Sequence, residues 1–292
     1  MKVFKTIVLL LAILFPFIPQ QKTTNSSNIP EVKSVSIHQV KVPQAINTEN
    51  PLFQAQAIYV LDLNSNTALY QKNSQESLYP ASLTKIMTAV VALEHFSIDQ
   101  VLSVKSADLS IGNTMNLRPG DKLTTQDLIY GLLVSSGNDA ALALAENFPG
   151  GYSKFVQAMN KKSKNLGLKQ TNYNNTSGVE DPNHITTALD LTLLTQHALK
   201  NPIFRQAVST KYKEIKSLDN NQYHLYSTNE LLDEVEGIQG VKTGWTPEAG
   251  ECLITLVNQN NHPILITILG SEDRFEETKL IINWVYENFS WD

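Results

Sequence analysis

Two strand-forming pairs stand at opposite ends of this chain and mirror one another. Near the start, residues 57–63 and 67–70 flank Asn64-Ser65-Asn66; near the end, residues 252–257 and 263–269 flank Asn258-Gln259-Asn260-Asn261. Each is a pair of apolar, β-rich runs across an Asn-rich turn, the pattern of a β-hairpin. A terminal helix follows at about 275–289, with Leu280, Ile281, Trp284, Val285 and Phe289 at helical spacing. Between the hairpins, residues 81 to about 208 read as mostly helical. Thr124 with Asp127 forms a capping pair that opens a helix running to Leu133. Further helices are predicted at 139–147 and 190–199, the last bounded by Asn201-Pro202. The layout is α+β: an antiparallel sheet from both chain ends, with the terminal helix packed on it and a helical region inserted between.

Inside that insert, residues 81–93 form an almost wholly apolar helix whose one charge is Lys85, the only charged residue between Glu76 and Glu94. Ser82 precedes it by three positions, so the two lie over one another on the same helix face. Taken alone, the pair reads first as a capping or packing Ser82 and a solvated surface Lys85, because Ser-x-x-Lys occurs often by chance. A lysine in so apolar a segment is also what activating a serine requires: an amine within reach of the hydroxyl can take its proton. The unpaired N–H groups and positive dipole at the helix start favour a developing oxyanion. Two further stretches stand out. Ser135-Ser136-Gly137-Asn138 falls between two helices, where Gly137 lets the chain reverse. Val241-Lys242-Thr243-Gly244-Trp245-Thr246 is strand-like, with Lys242 and Thr243 on opposite faces and Gly244 open to close approach of a ligand backbone.

Length and composition bound the rest. With 292 residues and 42% hydrophobic content the chain can bury a sizeable core. A net charge of −5 and three arginines, Arg118, Arg205 and Arg274, argue against a nucleic-acid partner. The single cysteine, Cys252, excludes an internal disulfide and a cysteine zinc site and reads as a buried thiol. The six histidines form no metal-binding pair, and no cofactor is expected. Lys2 and Lys5 precede an apolar run from Ile7 to Ile18. Residues 1–21 therefore read as a signal peptide or N-terminal membrane anchor, either cut or retained. Residues 22–50, rich in Gln, Asn, Ser, Thr and Pro, read as a flexible linker spanning roughly 30 Å. Residues 51–292 form the folded domain, at work outside the cytoplasm.

Ser82-x-x-Lys85, Ser136-x-Asn138 and Lys242-Thr243-Gly244, in that order, resemble the signature set of β-lactamases and penicillin-binding proteins. The stretches around them are similar to the D-alanyl-D-alanine carboxypeptidases, the S11 serine peptidases, with Gly137 in the middle motif pointing to that branch. The resemblance runs from about Ala57 to Phe289 and implies a serine β-lactamase/D,D-peptidase-like fold without metal or cofactor. Its substrate would be the peptidoglycan stem peptide ending in D-Ala-D-Ala, with β-lactams as inhibitors. Ser82 would attack the penultimate D-Ala carbonyl and Lys85 take its proton. Lys242, as a second cation, would lower the Lys85 pKa. Ser136 and Lys242 would relay a proton to the departing D-Ala, and Asn138 would hold Lys85 and the substrate amide. The backbone N–H groups of Ser82 and Trp245 would form the oxyanion site. The substrate would lie antiparallel to the segment Lys242, Thr243, Gly244, Trp245 and Thr246, its terminal carboxylate met by Thr243 and Arg274. The segments 175–179 and 184–191 also resemble the family and are read as structural.

Some features depart from the family pattern. Trp245 stands where many members carry His, and the segment 175–179 around Ser177 holds no histidine, where better-known members have one to tune deacylation. A β-rich second domain and C-terminal amphipathic anchor are not expected in this chain, which leaves residues 1–21 as its membrane attachment. A class A β-lactamase would need a Glu-x-x-x-Asn segment between residues 150 and 190. None is present, and Glu180 sits in Val-Glu-Asp-Pro. A D,D-endopeptidase of cross-linked peptidoglycan and a non-catalytic penicillin-binding wall protein remain as alternatives.

Overall fold

The structure is a computed structural model that describes residues 40–47, 51–105 and 112–292. The expected leader, residues 1–21, and most of the linker lie outside the described residues. Along the chain come β1 (Gln44–Ala45), β2 (Ala57–Asp62) and β3 (Thr67–Lys72), then a 3₁₀ turn at Ala81–Thr84 that runs into α1 (Lys85–His95). The insert continues with β4 (Val101–Ser103), β5 (Lys122–Thr124), α2 (Thr125–Leu133), α3 (Asn138–Glu146) and α4 (Gly151–Asn165). It goes on through α5 (Ala188–Ala198), α6 (Pro202–Val208), the hairpin β6 (Tyr212–Lys216) and β7 (Gln222–Tyr226), and the short α7 (Leu231–Glu234). The chain closes with β8 (Ile238–Thr246), β9 (Gly250–Gln259), β10 (His262–Ser271), α8 (Arg274–Asn288) and β11 (Phe289–Ser290).

The main sheet is antiparallel in the order β3-β2-β10-β9-β8, so both predicted hairpins form and β10 joins them. Successive side chains leave a strand on opposite faces, and here both faces are covered. Ile58, Val60, Leu253, Ile264, Ile266 and Ile268 pack under Ile281, Ile282 and Val285 of α8. Ala57, Leu61, Cys252, Ile254, Leu256 and Leu265 face the core of the helical insert. Burial on both faces is why these strands read as nearly continuous apolar runs rather than strict alternations. Cys252 is a free thiol in this layer, and burial pushes its pKa up to about 11.

The capping box predicted at Thr124 and Asp127 is present. The hairpin β6–β7 is unforeseen, and α4 falls within the stretch expected only to be mostly helical, without bounds of its own. Helix α4 fully buries Phe155, Met159 and Ser163, with Tyr152, Val156 and Ala158 partly buried against the same core. It begins beside Gly150, which is left-handed at φ 83°. Among the described residues no helix is long and apolar enough to cross a membrane.

Candidate active site

A cleft of about 610 Å³ lies along the edge strand β8, lined by all three motifs. Its floor is the 3₁₀ turn rather than the first turn of an α-helix. In 3₁₀ geometry residues three apart eclipse one another, which sets Ser82 directly over Lys85; Lys85 Nζ lies 2.8 Å from Ser82 Oγ. Lys85 is wholly buried. Burial, and after it the nearby Lys242, hold its pKa well below the ordinary lysine value, with Asp139 opposing. An amine whose pKa is so lowered gives up its own proton more readily and can then take that of a serine hydroxyl beside it. The second hydrogen bond of Lys85 goes to the Ser177 carbonyl at 3.1 Å, where the sequence reading looked to Asn138. Asn138 lines the same cleft. The 175–179 segment is therefore part of the site rather than only a structural support.

The middle motif turns differently from expectation. Ser136, not Gly137, takes the left-handed conformation, at φ 59°, and Gly137 has an ordinary φ of −64°. Glycine is needed there for space: a Cβ would sit 2.8 Å from Asp139 Oδ1 and 3.2 Å from the Gly131 carbonyl. The Asp139 carboxylate accepts hydrogen bonds from the backbone N–H groups of Met115 and Leu117. It thereby ties the strip before β5 to the motif. Asp139 has no role in the sequence reading; its one signal is an acid at the first turn of α3.

From β8, Lys242 Nζ donates to Ser136 Oγ at 2.9 Å and to the Thr243 carbonyl at 2.9 Å. Burial, and after it Arg274, bring the Lys242 pKa down to about 7. Thr243 Oγ1 is 2.6 Å from Thr228 Oγ1. The approach at Gly244 is made by the protein itself: a Cβ there would stand 3.1 Å from Ser82 N and 3.1 Å from Ala81 Cβ. Its lack of a side chain lets the edge strand lie against the nucleophile's own backbone. Trp245 and Thr246 line the cleft beyond it, with the indole of Trp245 mostly exposed. Arg274, the first residue of α8, donates from Nη1 to the Gly244 carbonyl at 3.0 Å, and its buried Nε has no hydrogen-bond partner among the described residues. The ten predicted site residues thus converge on one cleft, with Lys85 and Lys242 buried beneath it. Among the described residues no cluster of His, Cys, Asp or Glu is arranged to hold a metal.

His184, quoted in the sequence reading only as part of a structural segment, supports this floor from behind. Its Nδ1 accepts the N–H groups of Asn174 and Asn175, so the ring proton resides on Nε2 and is donated to Thr84 Oγ1 at 2.8 Å. Thr84 in turn donates to the Ala81 carbonyl at 2.8 Å, closing the turn that carries Ser82.

An antiparallel sheet whose edge strand covers a serine–lysine pair, with a helical insert on the other side, is the architecture of the serine D,D-peptidase class. The Streptomyces K15 DD-transpeptidase superposes with a TM-score of 0.78 at 31% identity, over 82% of this chain and 99% of that one. A family model for D-alanyl-D-alanine carboxypeptidase matches residues 44–273, and the chain belongs to that family. Among its relatives are DacF of Bacillus subtilis, a D-alanyl-D-alanine carboxypeptidase, 32% identical over 75% of this chain. Another is a D-alanyl-D-alanine endopeptidase of Pseudomonas aeruginosa, 34% identical over 77% of this chain. The chain spans 58% of the length of the DacF relative and 75% of the endopeptidase.

Proposed function

We propose that this protein is a serine-type D-Ala-D-Ala carboxypeptidase that trims peptidoglycan stem peptides outside the cytoplasm and is acylated by β-lactams. The observation that carries the reading is the 2.8 Å contact between Ser82 Oγ and an amine held well below its ordinary pKa. Ser82 Oγ attacks the penultimate D-Ala carbonyl carbon as its proton passes to Lys85. The oxyanion that forms is held by the backbone N–H groups of Ser82 and Trp245. Collapse breaks the C–N bond. Ser136, backed by Lys242, delivers a proton to the departing D-Ala amine. Water then hydrolyses the Ser82 ester and releases the shortened peptide.

Substrate lies antiparallel to β8, as an added strand. Its terminal carboxylate meets Thr243 and Arg274, whose unpartnered Nε supports that role. Asn138 holds the substrate amide. Incubation with fluorescent penicillin tests the reading: a stable covalent label on wild type and none on Ser82→Ala is expected. A label retained by the alanine variant would remove Ser82 from its role.

The endopeptidase reading is favoured by two relatives of that name, in P. aeruginosa and Escherichia coli, of whose lengths the chain spans 75% and 81% against 58% of DacF. Release of products from cross-linked muropeptides, with no D-Ala freed from a linear peptide, would establish it instead.

A further inference from the structure

Resting on the carboxypeptidase reading, we propose that Glu180 selects substrates by pairing with an amine on the side chain of the residue preceding D-Ala-D-Ala. Charge is unevenly distributed along the cleft. Among the described residues that line it, Arg274 and Glu180 are the charged ones. Arg274 is bonded to Gly244, and Lys242 reaches the Thr243 carbonyl, so positive charge gathers at the Thr243 end of the groove. Ser82 lies beside Gly244. Glu180 stands further along the strand direction, where its Oε1 accepts the backbone N–H of Glu248 at 2.9 Å.

A peptide antiparallel to β8 with its carboxylate at Thr243 runs its N-terminal part past Trp245 and Thr246 towards that carboxylate. The residue one step before the two alanines then falls on the Thr246 side of Ser82, where Val179, Trp245, Pro247 and Glu180 line the same cleft. An aliphatic stem ending in an ammonium, as in a diamino acid, fits such a sequence of surfaces: apolar flanks for the methylenes and an anion for the tip.

The carboxylate is preset by its surroundings. Asn175 Oδ1 accepts the N–H groups of Ser177 and Gly178, while Asn175 Nδ2 donates to the Val179 carbonyl. Gly178, at φ 87°, lies so close to Ala81 that a Cβ would overlap the Ala81 carbonyl. The segment that presents Glu180 is thus fixed on the nucleophile's own turn, and the Glu248 bond closes it across the groove. A surface glutamate serving only to hold the β8–β9 turn would need no charge, because a glutamine oxygen accepts the same N–H.

That distinction sets the experiment. Nα-acetyl-L-Lys-D-Ala-D-Ala, with its side-chain amine free, is compared with the Nα,Nε-diacetyl peptide on wild type and on Glu180→Gln at low ionic strength. Both D-Ala release and competition against fluorescent penicillin labelling are measured. Wild type should favour the free amine by about fivefold in both readouts, as a partly solvated ion pair allows, and Glu180→Gln should treat the two peptides alike. Equal competition by the two peptides on wild type, or a preference that survives in Glu180→Gln, overturns the assignment whether or not D-Ala is released. Absence of D-Ala release from either peptide refutes the carboxypeptidase reading instead, and the competition data still decide the role of Glu180.

Discussion

His184 carries no chemistry, yet the structure requires it to be neutral. Its Nδ1 already accepts two backbone N–H groups, so a proton placed there would face two donors in a buried site. Burial accordingly draws its pKa from 6.5 down to about 4, with Asp181 pulling the other way. Because the folded value lies below the unfolded one, the unfolded chain binds the proton more readily. The associated stability is complete above pH 6.5 and is lost as the pH falls towards 4. At about 1.4 kcal/mol per pH unit of difference, the loss by pH 4 is about 3 kcal/mol. That is a large share of the roughly 5–15 kcal/mol that holds a domain folded. Urea unfolding of wild type and His184→Gln at pH 4 to 8 separates this contribution from the carboxylates that titrate in both proteins. Glutamine leaves at least one of the Asn174 and Asn175 N–H groups without its acceptor, so the variant should be about 1–3 kcal/mol weaker at pH 7. Wild type should then lose about 3 kcal/mol more than the variant between pH 7 and pH 4, and the two curves should converge or cross. Parallel curves would refute both the assigned tautomer and the need for a neutral ring.

Two predictions concern the cleft. Lys242→Gln removes a charge that depresses the Lys85 pKa, so Lys85 should titrate higher. The acid limb of penicillin acylation against pH should then move upwards by on the order of one unit, and an unmoved limb would disconnect the two amines. Gly244→Ala sets a methyl 3.1 Å from Ser82 N. Acylation should fall by about tenfold from misplacement of the nucleophile, with a stability change within about 2 kcal/mol; acylation at the wild-type rate would show that the strand yields at no cost.

Local order was legible in the chain because it depends on neighbours a few residues apart. The hairpins at both ends, the Thr124–Asp127 capping box and the stacking of Ser82 on Lys85 are set by spacing and residue type. The three motifs identified the family for the same reason. Helix α4 received no bounds of its own because its polar residues outnumber the apolar ones, although Tyr152, Phe155, Val156 and Met159 recur at helical spacing and pack on the core. The left-handed turn at Ser136 escaped because the adjacent glycine was the obvious candidate.

What only the tertiary structure decided is the set of contacts between distant parts of the chain. Lys85 is held by a carbonyl 92 residues away, Ser136 by an amine 106 residues away, and Glu180 meets Glu248 across 68 residues. No periodicity encodes those pairings, because they follow from how the insert and the sheet edge settle against each other. The protonation of a buried amine or imidazole depends in turn on every group packed around it. Residue types thus named the reacting groups, and packing determined their distances and their charge.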